Sequence, residues 1–183
     1  MPLIRVLLNQ VTDNLFTLHQ IGMRSKNILP DFNMSQIELR PYNTKDENEA
    51  QEIVDIAKEY YQKSPWPPTK EKVMNGGVYY FRAFYEDQQI GITGYYLKTP
   101  TLAETVKTTI FKEFQGKKLG TILSQAIEDE CKKKGVKKIM STVYYFNHVM
   151  VQIKLKQGYT IEGYHPDHEA PGYHEYSLGK ILK

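Results

Sequence analysis

The stretch from Ile110 to Thr121 combines residue types at a spacing that could do chemistry. A strand-like run ends at Ile110-Phe111, a short turn carries Gly116, and an amphipathic helix is predicted to begin near Lys118. The first turn of a helix exposes backbone N–H groups without intrahelical partners, together with the positive end of the helix dipole. Such a start holds phosphate oxygens well. Gly116 and Gly120 would permit close approach of an anion, Lys117 and Lys118 add positive charge, and Gln115 adds neutral donors. An ordinary strand-to-helix turn has the same ingredients, so the segment alone marks an anion site and nothing more specific.

Three other groups invite a chemical reading. Glu104 lies on a predicted strand, where alternation puts it on one face with Val106, Thr108 and Ile110. Burial on so apolar a face would raise its pKa and suit it to accept a proton near neutral pH. An edge-strand glutamate in water or in a salt bridge is the plainer alternative. His165, His168 and His174, with Asp167 and Glu169, occupy a proline-bearing loop whose spacing fits no compact ligand pattern, so no metal is expected. Lys132, Lys133, Lys134, Lys137 and Lys138 read as a solvated helix C-terminus, where cations complement the dipole.

These groups need elements to position them. Residues 1–33 show no clear periodicity and read as an N-terminal, non-catalytic extension of unknown role, with a single domain over 34–183. Residues 37–42 alternate like a strand. Thr44 followed by Glu47 forms a capping-box signature, and Ala50, Ile53, Val54, Ala57, Tyr60 and Tyr61 recur at helical spacing. The prolines of Lys63-Ser-Pro-Trp-Pro-Pro68 end that helix. Strands over 78–85 and 90–98 flank the turn Glu86-Asp-Gln-Gln89, and a third covers 102–111. Leu119, Ile122, Leu123, Ala126, Ile127 and Cys131 form one helical stripe closed by Gly135. A strand over 139–146, a helix over 148–157 and strands near 159–164 and 173–178 complete the chain. The expected fold class is α/β, a mixed, mostly antiparallel central sheet with one strand-helix-strand core.

Gln115-Gly-Lys-Lys-Leu-Gly120-Thr121 resembles the Gln/Arg-x-x-Gly-x-Gly/Ala signature with which the GNAT superfamily of N-acetyltransferases binds the pyrophosphate of acetyl-CoA. The resemblance runs over roughly Ile37 to Leu182, including the Asn147…Gly158-Tyr159 segment. It implies a GNAT fold, acetyl-CoA as co-substrate without a metal, and acetyl transfer to a primary amine by direct attack in a ternary complex. Cofactor contacts would come from Gln115, Gly116, Lys117, Lys118, Leu119, Gly120 and Thr121. The backbone of Ile110 and Phe111 would pair with the pantetheine arm like an added strand. Asn147 would meet that arm, or else serve only as the cap of the next helix.

The separation of Glu104 from Gln115 resembles that of the glutamate base in the histone-acetyltransferase branch, which makes Glu104 the expected catalytic base. Two positions depart from the family pattern. Lys118 replaces the first signature glycine, and Lys154 stands where many members have a thiolate-protonating tyrosine. Tyr144, Tyr145, Tyr159 or solvent could supply that proton instead. Both departures also fit an alternative, a non-catalytic acyl-CoA-binding GNAT-like sensor or scaffold module.

The implied partner is an amine acceptor, either a small molecule or a protein or peptide. Family members place their last hairpin beside the acceptor cleft, where Asp167, Glu169 and Glu175 would suit a cationic amine. Trp66-Pro-Pro is another candidate wall, and some of the 14 tyrosines would line it. Composition sets outer limits. A net charge of +3 over 183 residues gives no basis for nucleic-acid binding. The lone Cys131 excludes an internal disulfide and suits a reducing cytoplasm. No apolar run approaches the roughly 20 residues of a membrane span, and a homodimer is compatible with all of this.

Overall fold

The computed structural model describes residues 37–183, and the extension expected over residues 1–33 lies outside the described residues. Seven strands form one sheet in the order β1-β2-β3-β4-β5-β7-β6. They are β1 Ile37–Pro41, β2 Tyr79–Tyr85, β3 Gln88–Thr99, β4 Leu102–Ile110, β5 Lys138–Tyr144, β6 Thr160–His165 and β7 Glu175–Ile181. The α-helices among the described residues are α1 Glu47–Tyr60, α2 Lys70–Asn75, α3 Leu119–Lys133 and α4 His148–Lys156. All neighbouring strands are antiparallel except β4 and β5. A parallel pair requires a crossover, and α3 provides it. The mixed, mostly antiparallel α/β sheet expected from the sequence is the one found.

Local chemistry explains where the elements start. Asp46, not Thr44, caps α1, its carboxylate accepting from the N–H groups of Asn48 and Glu49. Glu49 accepts from the N–H of Asn43 at 2.8 Å and not from that of Asp46, so the cap lies two residues beyond the predicted one and is not reciprocal. Arg82 of β2 then ties α1 to the sheet, pairing with Glu52 at 2.7 Å and Glu49 at 3.1 Å. The hairpin between β2 and β3 turns on Glu86 and Asp87 alone, both at positive φ, so it is tighter than the four residues expected. Helix α2 was not legible in the sequence. It is only six residues long, and Thr69 caps it directly after the proline run.

The sheet carries a core on each face. Ile127 and Cys131 of α3 pack with Tyr95, Ala103, Ile139 and Leu178. On the other face, Ala50, Ile53 and Val54 of α1 and Val73 of α2 pack with Tyr80 and Ile92.

Two features open the middle of the sheet. Pairing between β4 and β5 runs only from Leu102↔Lys138 to Thr105↔Ser141, so residues 106–110 and 142–144 diverge unpaired. Beside the divergence, Ile92 pairs with Thr109 and Gly94 with Val106, leaving Lys107 and Thr108 together opposite Thr93. This is a β-bulge, with Lys107 in the left-handed region at φ 51°. The bulge breaks the alternation assumed for Glu104. Val106 packs with the α1–α2 core, whereas Ile110 faces Gly120 of α3 on the opposite side. Glu104 therefore shares a face with Val106 but not with Ile110.

Candidate active site

The opening between β4 and β5 has two ends, and the first is the start of α3. Gly116 has φ 78° and Lys118 has φ 60°, so two left-handed residues swing the chain from the end of β4 into the helix. Lys118 occupies the N-cap without any side-chain cap. Among the described residues, no protein acceptor meets the backbone N–H groups of residues 116–120. Thr121 and Ile122 are the first to bond inward, both to the Lys118 carbonyl. Five successive free donors at a helix start make a concave anion site. The left-handed conformation at Lys118 is the one that favours glycine, so the lysine keeps the turn's shape at a cost of about 1–2 kcal/mol.

Other details of this end differ from expectation. Gln115 does not offer its amide outward; its Nε2 donates to the Ile110 carbonyl at 2.9 Å and braces the turn. Gly116 has open space where a Cβ would stand, so its need is the positive φ rather than close approach. Gly120 points inward, where a Cβ would lie 3.4 Å from Ile153 Cδ1 of α4. A side chain larger than a methyl would press on α4, while the Gly120 N–H stays without a protein acceptor. Leu119 is buried, so any contact it makes with an anion is through backbone.

The strand leading to this turn is only half available. The Phe111 N–H donates to the Ile90 carbonyl at 2.9 Å, which turns the Phe111 backbone toward β3. By the alternation of an antiparallel pair, the Ile110 backbone faces the opening, its carbonyl already accepting from Gln115 Nε2. Asn147 caps α4, its Oδ1 accepting from the Met150 N–H at 3.2 Å, as the plainer of its two readings anticipated.

The second end carries carboxylates. Glu104 is 7% exposed and accepts from Thr142 Oγ1 at 2.6 Å, Tyr96 Oη at 2.7 Å and Lys98 Nζ at 2.6 Å. Burial pushes its pKa up, but Lys98, Thr142 and Tyr96 together outweigh this and hold the carboxyl below its ordinary range. The raised pKa expected of Glu104 is therefore not found, because the face is not apolar where it matters. Nearby, Tyr144 of β5 donates to Glu169 and lies 3.3 Å from Ser64 Oγ. Trp66 Nε1 donates to the Glu169 carbonyl at 3.2 Å, so loops 61–69 and 166–174 meet over this face. Of the acidic residues expected there, Asp167 is spent within its own loop, accepting from the Gly172 N–H at 2.6 Å. Glu175 is 6% exposed, and its pKa is raised, by burial first and by Glu169.

Tyr96, Lys98 and Thr142 were not singled out in the sequence. The β3–β4 hairpin puts Tyr96 opposite Glu104 and was readable in principle. Thr142 arrives through the crossover, which no local pattern announces.

Lys154 turns away from both ends. It is 1% exposed, with Nζ 2.8 Å from Ser124 Oγ of α3 and 4.7 Å from the Tyr159 ring centre. Burial pushes its pKa down to about 8, against the pull of Glu128. Glu128, also fully buried, is bound by Lys180 at 2.6 Å. This is a polar seam between α3 and α4. Among the described residues, no group of three or more His, Cys, Asp or Glu side chains is placed to hold a metal.

Comparison with known proteins agrees with this architecture. Residues 41–159 match the model of the Acetyltransferase (GNAT) family. Among solved structures, the chain resembles RimL, a ribosomal-protein alpha-N-acetyltransferase solved with coenzyme A, at 16% identity and TM-score 0.65, covering 81% of this chain and 95% of that one. It resembles an aminoglycoside 6'-N-acetyltransferase complexed with coenzyme A at 15% identity and TM-score 0.62, over 79% and 96% of the two chains. A spermidine N-acetyltransferase chimera from Vibrio cholerae matches at 17% identity and TM-score 0.66, over 80% and 95%. No curated protein matches the sequence. With the family model spanning well over half of the chain and the crossover turn at its centre, the protein belongs to the GNAT acetyltransferase family.

Proposed function

We propose that the protein transfers the acetyl group of acetyl-CoA to a primary amine by direct attack in a ternary complex. The observation that carries this reading is the run of free N–H groups at residues 116–120, set beside the unpaired part of the β4–β5 opening. The pyrophosphate of acetyl-CoA lies on those donors, with the Lys117 and Lys118 ammonium groups adding charge. Gln115 supports the site by bracing the turn, Thr121 closes its inner edge, and Asn147, at the start of α4, meets the cofactor arm. The pantetheine arm follows β4 through Ile110, while Phe111 contributes its side chain rather than its backbone.

The acceptor enters from the carboxylate end, where Glu104 is an ionised group fixed by three donors. Glu104, Glu169 and Glu175 outnumber the two lysines set against them, Lys98 and Lys107, so a protonated small amine, peptide N-terminus or protein lysine suits this end. Attack by the neutral amine forms the C–N bond, breaks the C–S bond and leaves coenzyme A thiol. The lone cysteine is a buried free thiol, which fits a cytoplasmic setting. No helix among the described residues is long and apolar enough to cross a membrane.

A thiol-release assay with a panel of amines (putrescine, spermidine, kanamycin and a lysine-bearing peptide) tests this. Acceptor-dependent coenzyme A production is expected. Coenzyme A binding without release for any amine would instead support the non-catalytic sensor or scaffold, a reading that the inward-turned Lys154 favours.

A further inference from the structure

Glu104 and Glu175 face each other's surroundings with opposite electrostatic settings. In the sheet, Glu104 pairs with Met140 and Glu175 with Tyr144, while Thr142 between them pairs with Ser177. Paired residues and alternate residues along a strand share a face. Glu104, Thr142, Tyr144 and Glu175 therefore lie on one face, as the Thr142–Glu104 hydrogen bond independently requires. Tyr144 lies three residues beyond the last β4–β5 pair at Ser141, so Glu175 sits level with the open part of the sheet.

The two carboxylates differ in their partners. Glu104 has three donors, one of them a lysine, and is saturated as an anion. Glu175 is as deeply buried, yet among the described residues no donor hydrogen-bonds its side chain. Among the described residues, the basic side chain within 4 Å of it is His168, with Nε2 at 3.8 Å. The other ionisable groups around it are Glu169 and His168 of loop 166–174, Glu104 of β4, Tyr144 of β5 and His165, its partner on β6. Lys107 and Lys98 direct their charges at Glu169 and Glu104 respectively. A buried carboxylate without donors, flanked by two others, holds a proton more readily than one paired to lysine.

We propose that Glu175 is the proton acceptor for the incoming ammonium, with Glu104, held by Lys98, Tyr96 and Thr142, as a fixed wall beside it. This deepens the amine acetylation proposed above and rests on it. The ammonium gives one proton to the Glu175 carboxylate, directly or through one water, and becomes the neutral nucleophile. Its lone pair forms the bond to the thioester carbonyl carbon, and the C–S electron pair leaves with sulfur. The second nitrogen proton goes to the thiolate, and Glu175 then releases its own proton to solvent. The sum is ammonium plus acetyl-CoA giving amide, coenzyme A thiol and one proton. Burial and the neighbouring Glu169 raise the Glu175 pKa, which moves the acid limb of activity upward from that of a free glutamate.

The experiment compares pH profiles of kcat/KM for the parent protein, Glu175→Gln and Glu175→Asp, using the panel amine that is turned over fastest. Calorimetry of coenzyme A binding runs alongside. Glu175→Gln is expected to lower kcat/KM by about 100-fold or more and to abolish the acid limb. Coenzyme A affinity should stay within about twofold, which shows that the variant is folded. Glu175→Asp should keep the acid limb at a reduced rate, a rescue that a merely structural role would not give. Glu175→Gln activity within about threefold of the parent with the limb intact would overturn the proposal. So would a Glu175→Asp variant that binds coenzyme A but has lost the limb. A parent protein that binds coenzyme A but turns over no amine would remove the acetylation reading itself, and this inference with it.

Discussion

The α3 start and the carboxylate end lie on the same opening but are built from different materials. At residues 116–120 the groups on offer are backbone N–H donors, placed by two left-handed residues and a braced turn. At Glu104, Glu169 and Glu175 they are side chains, placed by strand register and by two loops that meet at Trp66. A backbone site tolerates a change of side chain so long as the turn keeps its shape, which is why Lys118 can stand where the family has glycine. A side-chain site has no such tolerance, because each group's charge depends on its neighbours. Cofactor recognition should therefore survive most substitutions in the turn, and acceptor chemistry should not survive single changes among the carboxylates.

The sharpest way to break this contrast is Glu104→Gln. Turnover is expected to fall by about 100-fold, with coenzyme A affinity unchanged by calorimetry. An unchanged rate would remove Glu104 from the acceptor end. Next in size is Gly120→Leu, whose side chain must enter the contact with Ile153. Overpacking there should cost about 1–3 kcal/mol of stability in chemical denaturation and weaken coenzyme A binding by displacing the helix start. A variant as stable as the parent would contradict the inward direction of that residue.

A change remote from both ends serves as a control. Lys154 loses protons more easily when folded than when unfolded, so its buried charge costs stability below about pH 8. That cost should vanish as pH rises from about 8 toward 10.5, where the unfolded chain deprotonates too. The stability of the parent relative to Lys154→Met should thus increase over that window, and a flat difference would count against the buried charge. Smallest is Lys118→Gly. Relief of the left-handed strain, less the added freedom of the unfolded chain, should stabilise by about 0.5–1 kcal/mol. Coenzyme A should bind a few-fold more weakly at low salt, with the gap closing at high salt. A variant less stable than the parent would show that Lys118 carries no strain.

The fold was largely legible because its signals are local. The strand alternation, the α3 stripe and the glycine at Gly135 each depend on a few neighbouring residues. The turn at 115–120 was legible as an anion site for the same reason. What the sequence hid is non-local. The bulge at Lys107 shows no glycine to announce it and reverses the facing of Ile110 relative to Glu104. The pKa of Glu104 depends on Thr142, which reaches it across the crossover. That Gly120 turns its missing side chain toward α4 depends on two helices meeting, which no local pattern announces.

The most direct measurement is amide hydrogen exchange of peptides covering residues 110–121, with and without coenzyme A. The free N–H groups of residues 116–120 should exchange fast in the unliganded protein and gain strong protection with coenzyme A, while peptides from β6 and β7 change little. Binding of coenzyme A with no added protection at 116–120 would contradict the placement of the cofactor at the start of α3.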